Sequence, residues 1–307
     1  MNTQTLTIFA LIAIVVILSL MRRRPYLPPP ESKEGFGLLG KPTLWWFVDA
    51  ETNARHWADF GARNSRHPNR GYLELARKKL YETQGDAFTI QCLYGREETL
   101  AAIGSTNRRA LELPPDLWRS YVIANICAQK GGCVVDGNST LFVAKLAPML
   151  NGIDAAMFGT YPDEPIVSPM TAVAAGPGPY VGWAAMKQHP AWVHAAQQYT
   201  ALVEASPQAW GAASARRMFL EVWQMQKQLG AVIVRGIDGS RRSNGTKLQL
   251  DDIFGRTPLD LPSETVYLTY DGDELARRHE FNWFLRMSPK QILESSCAWC
   301  MYVAKGV

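Results

Sequence analysis

The sequence predicts a mixed α/β domain carried behind a single N-terminal membrane-spanning helix. Three observations lead there: an uncharged run at the start of the chain, a series of short apolar runs that end in aspartate, and segments of helical period between those runs. With 307 residues, 47% of them apolar, 20% charged and 10% aromatic, the chain can bury a sizeable core, which excludes a disordered or fibrous protein.

Thr3 to Met21 is 19 residues without a charge. At about 1.5 Å per residue such a helix reaches roughly 28 Å, close to the thickness of a bilayer's hydrocarbon core. A cleaved signal peptide would place its positive charge before the apolar run, whereas Arg22, Arg23 and Arg24 follow it, so the run reads as a retained anchor. The positive-inside rule then puts residues 25–307 on the cytosolic side. Residues 1–24 form the anchor with its basic flank, and Pro25, Pro28, Pro29 and Pro30 make 25–34 an extended linker. Three of the 32 basic residues belong to that flank, and the rest nearly balance the 28 acidic ones, so bulk charge gives no footprint for nucleic acid. Five cysteines, few and odd in number, fit a reduced compartment better than a disulfide-stapled secreted domain. The sequons at Asn138 and Asn244 would matter only on the lumenal side.

Leu44 to Val48 reads as a strand buried on both faces and ending at Asp49. Leu73, Ala76 and Leu80 recur at helical spacing, and Ala87 to Cys92 alternates as a second strand, so strand, helix and strand suggest a parallel crossover. Pro115 to Lys130 has a proline and an acid for its first turn and a lysine and glycine for its end, the polarity of a helix. Cys133-Val134-Val135 is the third strand, closing on Asp136. Further on, helices are expected over Pro190–Glu204, 212–229 and Glu274–Arg286, and strands over 231–235 and 266–270. Ser288 to Gln291 has capping-box spacing for a last helix, and 174–179 reads as a turn. One domain over 35–307 accounts for all of it.

The stretch richest in chemistry is Asp116-Leu117-Trp118-Arg119, then Gly131-Gly132, then Asp136-Gly137-Asn138. It resembles the glycosyltransferases with a DXD sugar-binding region, the capsular-polysaccharide and mannosyltransferase-like group. Met186-Lys187-Gln188-His189-Pro190-Ala191-Trp192 is similar to that family's stretch around a His-Pro pair. The opening Leu44 to Asp49 and Phe281 to Ser288 look like a branch found in large DNA viruses. The resemblance implies a GT-A (Rossmann-like) nucleotide-diphospho-sugar transferase fold and a nucleotide-diphosphate sugar donor. It implies Mn²⁺ or Mg²⁺ held by Asp136 and Asn138, and substrate contacts from Asp49, Asp116, Arg119 and Asp136. Carboxylates at a strand end suit a hard cation that bridges protein and diphosphate. The motif's second acid is Asn138 here, which supplies a neutral carbonyl oxygen and one negative charge fewer.

Other residues have two readings. Asp136-Gly137-Asn138 is also the composition of a plain turn. Asp271-Gly272-Asp273 is a literal Asp-x-Asp and a rival metal site, while Asp273 also stands where a helix N-cap is expected. By the same resemblance, which implies a late His near a Trp, His279, four residues before Trp283, is a candidate contact to metal or diphosphate. Cys297 and Cys300 have the spacing of half a zinc site or a redox pair, or pack apolarly beside Trp299. Trp45 and Trp46 suit either core packing or stacking on a base or sugar. Two functions follow: a membrane-anchored, metal-dependent hexosyltransferase, or a catalytically inactive scaffold of the same fold working in assembly at a viral or other internal membrane. Neither names a catalytic base, and the donor, acceptor, stereochemistry and oligomeric state stay open.

Overall fold

The structure, a computed structural model, describes residues 40–49, 71–160, 178–205, 207–234 and 237–304. The apolar span read at 3–21 and the linker at 25–34 lie outside these residues. Among the described residues, no helix is long and apolar enough to cross a membrane.

The first half builds the sheet's parallel side. Strand β1 (Thr43–Val48) is followed by α1 (Gly71–Gln84) and β2 (Thr89–Tyr94), which pairs parallel to β1. Then α2 (Gly95–Ile103) and α3 (Pro115–Gln129) lead to β3 (Gly132–Asp136), which pairs parallel to β1 on its other side. The two crossovers run in opposite directions across the sheet, from β1 out to β2 and from β2 back past β1 to β3, and a right-handed crossover each way places its helices on opposite faces. Accordingly, Leu73, Ala76 and Leu80 of α1 pack with Leu44, Trp46 and Val48. Leu117, Tyr121 and Ala124 of α3 pack with Phe47 and Val134 on the other face. The paired glycines where β3 begins have a backbone reason: a β-carbon on Gly132, at φ +87°, would lie 2.2 Å from the Thr43 carbonyl oxygen.

The second half adds β4 (Thr140–Phe142), β5 (Ala155–Thr160), β6 (Gly178–Ala184), α4 (Pro190–Glu204), α5 (Ala212–Gln228) and β7 (Val232–Val234). The six-stranded sheet runs β2-β1-β3-β6-β5-β7 and is mixed, because β6 alone is antiparallel to its neighbours. Gly178 and Pro179 thus open a strand where the sequence reads as a turn; residues 174–177 lie outside the described ones. The strands β5 and β6 are absent from the sequence reading because Ala155 to Thr160 and Gly178 to Ala184 are rich in Gly and Ala, poor strand formers alone. Their place between β3 and β7 leaves Met157, Phe158 and Val181 with no exposed surface, and that burial overrides the weak propensity.

After α6 (Leu250–Ile253), β8 (Tyr267–Thr269) pairs antiparallel with β4, Thr140 opposite Thr269. The chain then forms α7 (Gly272–Arg277), α8 (Asn282–Arg286), α9 (Pro289–Glu294) and α10 (Ala298–Ala304). The single helix expected over Glu274–Arg286 is broken at Arg278, which is extended at φ −81°, ψ 120°. Its guanidinium there reaches Asp251, Glu274 and Glu280, while Phe281 and Phe284 turn onto Phe254. Ser288 and Gln291 form the reciprocal capping box at the start of α9. Cys297 and Cys300, buried with Trp299 as apolar packing requires, are joined by a disulfide, the state that their reading as a redox pair allows and that half a zinc site would not. Cys92, Cys127 and Cys133 are free.

Candidate functional site

In an open sheet of this kind, ligands bind beyond the carboxyl ends of the strands where consecutive crossovers diverge. Here that point lies between β1 and β3, where Asp49 and Asp136 stand. Asp136 is the last residue of a fully buried strand and is 3% exposed. Its Oδ1 accepts the backbone N–H of Asn138 at 3.0 Å, closing a turn on itself. Trp46 forms the floor, since a β-carbon on Gly137 would lie 2.3 Å from its indole ring. Trp46 is therefore core, and it leaves no face for a base or sugar. Trp45, partly buried, donates its indole N–H to the Gly131 carbonyl at 3.3 Å.

Helix α3 brings Arg119 to the same edge. Its Nη2 donates to Asp116 Oδ1 at 2.6 Å, one turn earlier on the helix, and its Nη1 lies 3.6 Å from Asp136 Oδ2. The guanidinium also rests over the Tyr180 ring, 4.2 Å from its centroid. Arg119 is 5% exposed. Burial works against its charge, but Asp116, Tyr180, Asp136 and Asp271 together outweigh it and raise its pKa further. Burial likewise raises the pKa of Asp136, against the opposing pull of Arg119 and of hydrogen bonds from Ser139 and Asn138.

Asp49 is committed elsewhere. The Arg96 Nε donates to its Oδ2 at 2.6 Å, and the Arg96 Nη1 donates to the carbonyls of Leu111 and Leu113, which fixes the approach to α3. Asp49 contributes field at Asp136 and anchors that loop. The His-Pro stretch lies at the opposite edge: Ala184 pairs with Gly132, at the start of β3, so the residues after it are roughly 13 Å of strand away from Asp136. His189 there caps α4, its Nδ1 accepting the Ala191 N–H at 3.3 Å. His279 is exposed and shares a hydrogen bond with Asn282.

The structure joins two motifs that lie apart in the sequence. The β4–β8 ladder carries Asp271-Gly272-Asp273 against Asp136-Gly137-Asn138, and the Tyr270 N–H donates to the Ser139 carbonyl at 3.0 Å. The cap of α7 is Asp271, not Asp273: Asp271 Oδ1 accepts the Glu274 N–H at 2.8 Å. Asp273 faces inward in the first turn. Burial, reinforced by Asp136 and Asp271, pushes its pKa up to about 7. Separation in sequence hid this pairing, since nothing local to 136–138 points to residue 273.

Among the described residues, no three His, Cys, Asp or Glu side chains are gathered to hold a metal. The oxygen groups available here are the carboxylates of Asp136 and Asp273, close enough for Asp136 to help raise the pKa of Asp273, and the amide of Asn138, against whose backbone Gly272 packs. Asn138 Oδ1 is shut off from solvent and has no hydrogen-bond partner, a cost of about 1–3 kcal/mol that a hard cation would remove. That donor chemistry fits Mn²⁺ or Mg²⁺. Beside it, Tyr180, Ser240, Lys247, Gln249, Thr269, Asp271 and Glu274 help to line a cavity of about 60 Å³, room for a few solvent molecules and no more.

Fold and site define an α/β protein with a mixed six-stranded sheet, compatible with a Rossmann-like arrangement, and a charged polar cluster at its switch point. No known protein family, curated protein or solved structure matches the chain.

Proposed function

We propose that the protein is a membrane-anchored glycosyltransferase that moves a hexose from a nucleotide-diphosphate sugar with the help of Mn²⁺ or Mg²⁺. One observation carries the proposal: the Arg119 guanidinium, buried and held between Asp116 and Asp136 at the switch point. A buried cation beside an open carboxylate is a counter-charge for a diphosphate with a neighbouring acceptor for sugar hydroxyls. Asp116 orients Arg119 through its Oδ1, and its side chain is 41% exposed, so it is open to a donor arriving from solvent. Asp136 Oδ2 meets Arg119 only at 3.6 Å and keeps lone pairs for a cation. A divalent cation held there would stabilise the departing diphosphate. No side chain stands out as a base.

A second reading has its own observation. Arg119 partly neutralises Asp136, and the motif's other position is the neutral Asn138. Such a site has less negative charge to hold a cation, as a scaffold of the same fold that has lost catalysis would show. The full-length chain in detergent, given uridine and guanosine diphosphate sugars with Mn²⁺, separates the two. Nucleotide release by the wild type that disappears in Asp136→Ala supports the enzyme. Silence in both, with folding intact by circular dichroism, supports the scaffold.

A further inference from the structure

The Asp136-Gly137-Asn138 motif is one carboxylate short, and the structure packs Gly272, the residue before the acid Asp273, against its Asn138. We propose that Asp273 supplies the missing acid, so that one divalent-cation site is assembled from Asp136, Asn138 and Asp273. The proposal rests on the donor-site reading above and adds to it a ligand from a different motif.

Three features make the site more than a group of acids. The first is the contact between the motifs, which is backbone against backbone: a β-carbon on Gly272 would lie 2.5 Å from the Asn138 carbonyl oxygen and 3.0 Å from its carbonyl carbon. Residue 273 is therefore held to residue 138 by the fold itself, through the ladder Thr140 opposite Thr269 and the bond from Tyr270 N–H to Ser139. The second is Asn138 Oδ1, sealed from solvent, an oxygen acceptor that no donor among the described residues satisfies. The third is Thr269, only 7% exposed, whose Oγ1 is likewise unpartnered and which, with Asp271, lines the small polar cavity next to the site. Unsatisfied oxygens of this kind call for a cation and its water. Asp271 gives its Oδ1 to the cap of α7 and lines the neighbouring cavity, whereas Asp273 directly follows the glycine pressed against Asn138.

Hard cations of this size take carboxylate and amide oxygens together with water, and their affinity follows the number of charged ligands. Charge count, not position in the sequence, decides binding. A site with Asp at 136 and 273 and Asn at 138 is thus equivalent in charge to one with Asp at 136 and 138.

The test is Mn²⁺ binding to the full-length chain in detergent, measured by electron paramagnetic resonance of free Mn²⁺, with nucleotide-sugar turnover recorded separately. Wild type should bind one Mn²⁺, and Asp273→Asn should weaken binding by more than about tenfold. Asn138→Asp should tighten it. The double variant Asn138→Asp with Asp273→Asn, which moves the acid from one motif to the other, should return binding to near the wild-type level, a rescue that a merely structural role for Asp273 would not give. Unchanged Mn²⁺ affinity in Asp273→Asn, no rescue in the double variant, or no Mn²⁺ binding by wild type would overturn the proposal. Mn²⁺ binding that depends on Asp273, without turnover of any sugar nucleotide, would uphold the cation site and remove the transferase reading. Turnover with binding indifferent to Asp273 would do the reverse.

Discussion

Gly272 sits against the backbone of Asn138 so closely that a β-carbon there would come within 2.5 Å of the Asn138 carbonyl oxygen. The neighbour is main chain, which cannot swing aside as a long side chain would. Gly272→Ala should therefore lower stability by about 1–3 kcal/mol, as overpacking does, and should weaken Mn²⁺ binding by separating Asp273 from Asn138. Urea denaturation together with the Mn²⁺ titration checks both effects; a variant as stable as wild type would show that the two turns are not pressed together.

Arg119 is buried between two acids. Removing one partner of a buried pair leaves an uncompensated charge, so Arg119→Ala should cost about 3–5 kcal/mol. Arg119→Lys should recover only part of that, because one ammonium cannot serve Asp116 and Asp136 with the guanidinium's fixed fork. The midpoint of urea unfolding for the three proteins should fall in the order wild type, Lys, Ala.

Gln84, fully buried at the end of α1, donates to the Ala144 carbonyl at 2.7 Å and accepts the Leu146 N–H at 2.9 Å. Gln84→Leu keeps the volume but leaves both backbone groups unsatisfied, at about 1–3 kcal/mol each. A loss of stability in Gln84→Leu that Gln84→Glu reduces at low pH, where the protonated acid can again donate and accept, would show that hydrogen bonding and not packing is at work.

His189 offers a lone pair on Nδ1 to the Ala191 N–H, which only the neutral ring can do, and burial lowers its pKa below the ordinary value. Between the two pKa values the unfolded chain holds more protons than the folded one, so the stability linked to His189 is present above about pH 6.5 and is lost as the pH falls below it. His189→Asn keeps an acceptor that does not titrate. Thermal melts from pH 7.5 to 5 should fall more steeply for wild type than for His189→Asn; parallel curves would show that the ring is not linked to folding.

Of the two sequons, Asn244 is exposed on a turn while Asn138 stands in the packed turn after β3, its Oδ1 sealed from solvent. On the topology that the sequence leads one to expect, with the domain on the cytosolic side of a membrane, cells expressing the full chain should yield protein of unmodified mass. An endoglycosidase-sensitive mass shift mapped to Asn244 would reverse the proposed topology.

What the sequence by itself determined is the local part of the protein. Leu44 to Val48 and Cys133 to Val135 are buried on both faces and read as apolar runs, and Pro115, Asp116 and Lys130 mark the ends of α3 through the requirements of helix termini. Asp116 and Arg119 share a helix face because they are three apart, and that pair too was legible. Tertiary structure alone decided the rest. The strands β5 and β6 exist because the sheet covers them, not because glycine and alanine favour extended chain. The break at Arg278 comes from acids on three separate segments and from the packing of Phe281 and Phe284 on Phe254. Asp49, at a strand end as a ligand residue would be, is claimed by Arg96, and His189 is carried to the wrong edge by the antiparallel direction of β6. The meeting of Asn138 with Asp273 depends on a ladder between β4 and β8 that spans more than a hundred residues of sequence. Periodicity and end signals act over a few residues, whereas a site of this kind is set by which strand lies beside which, and that is settled only when the whole core packs.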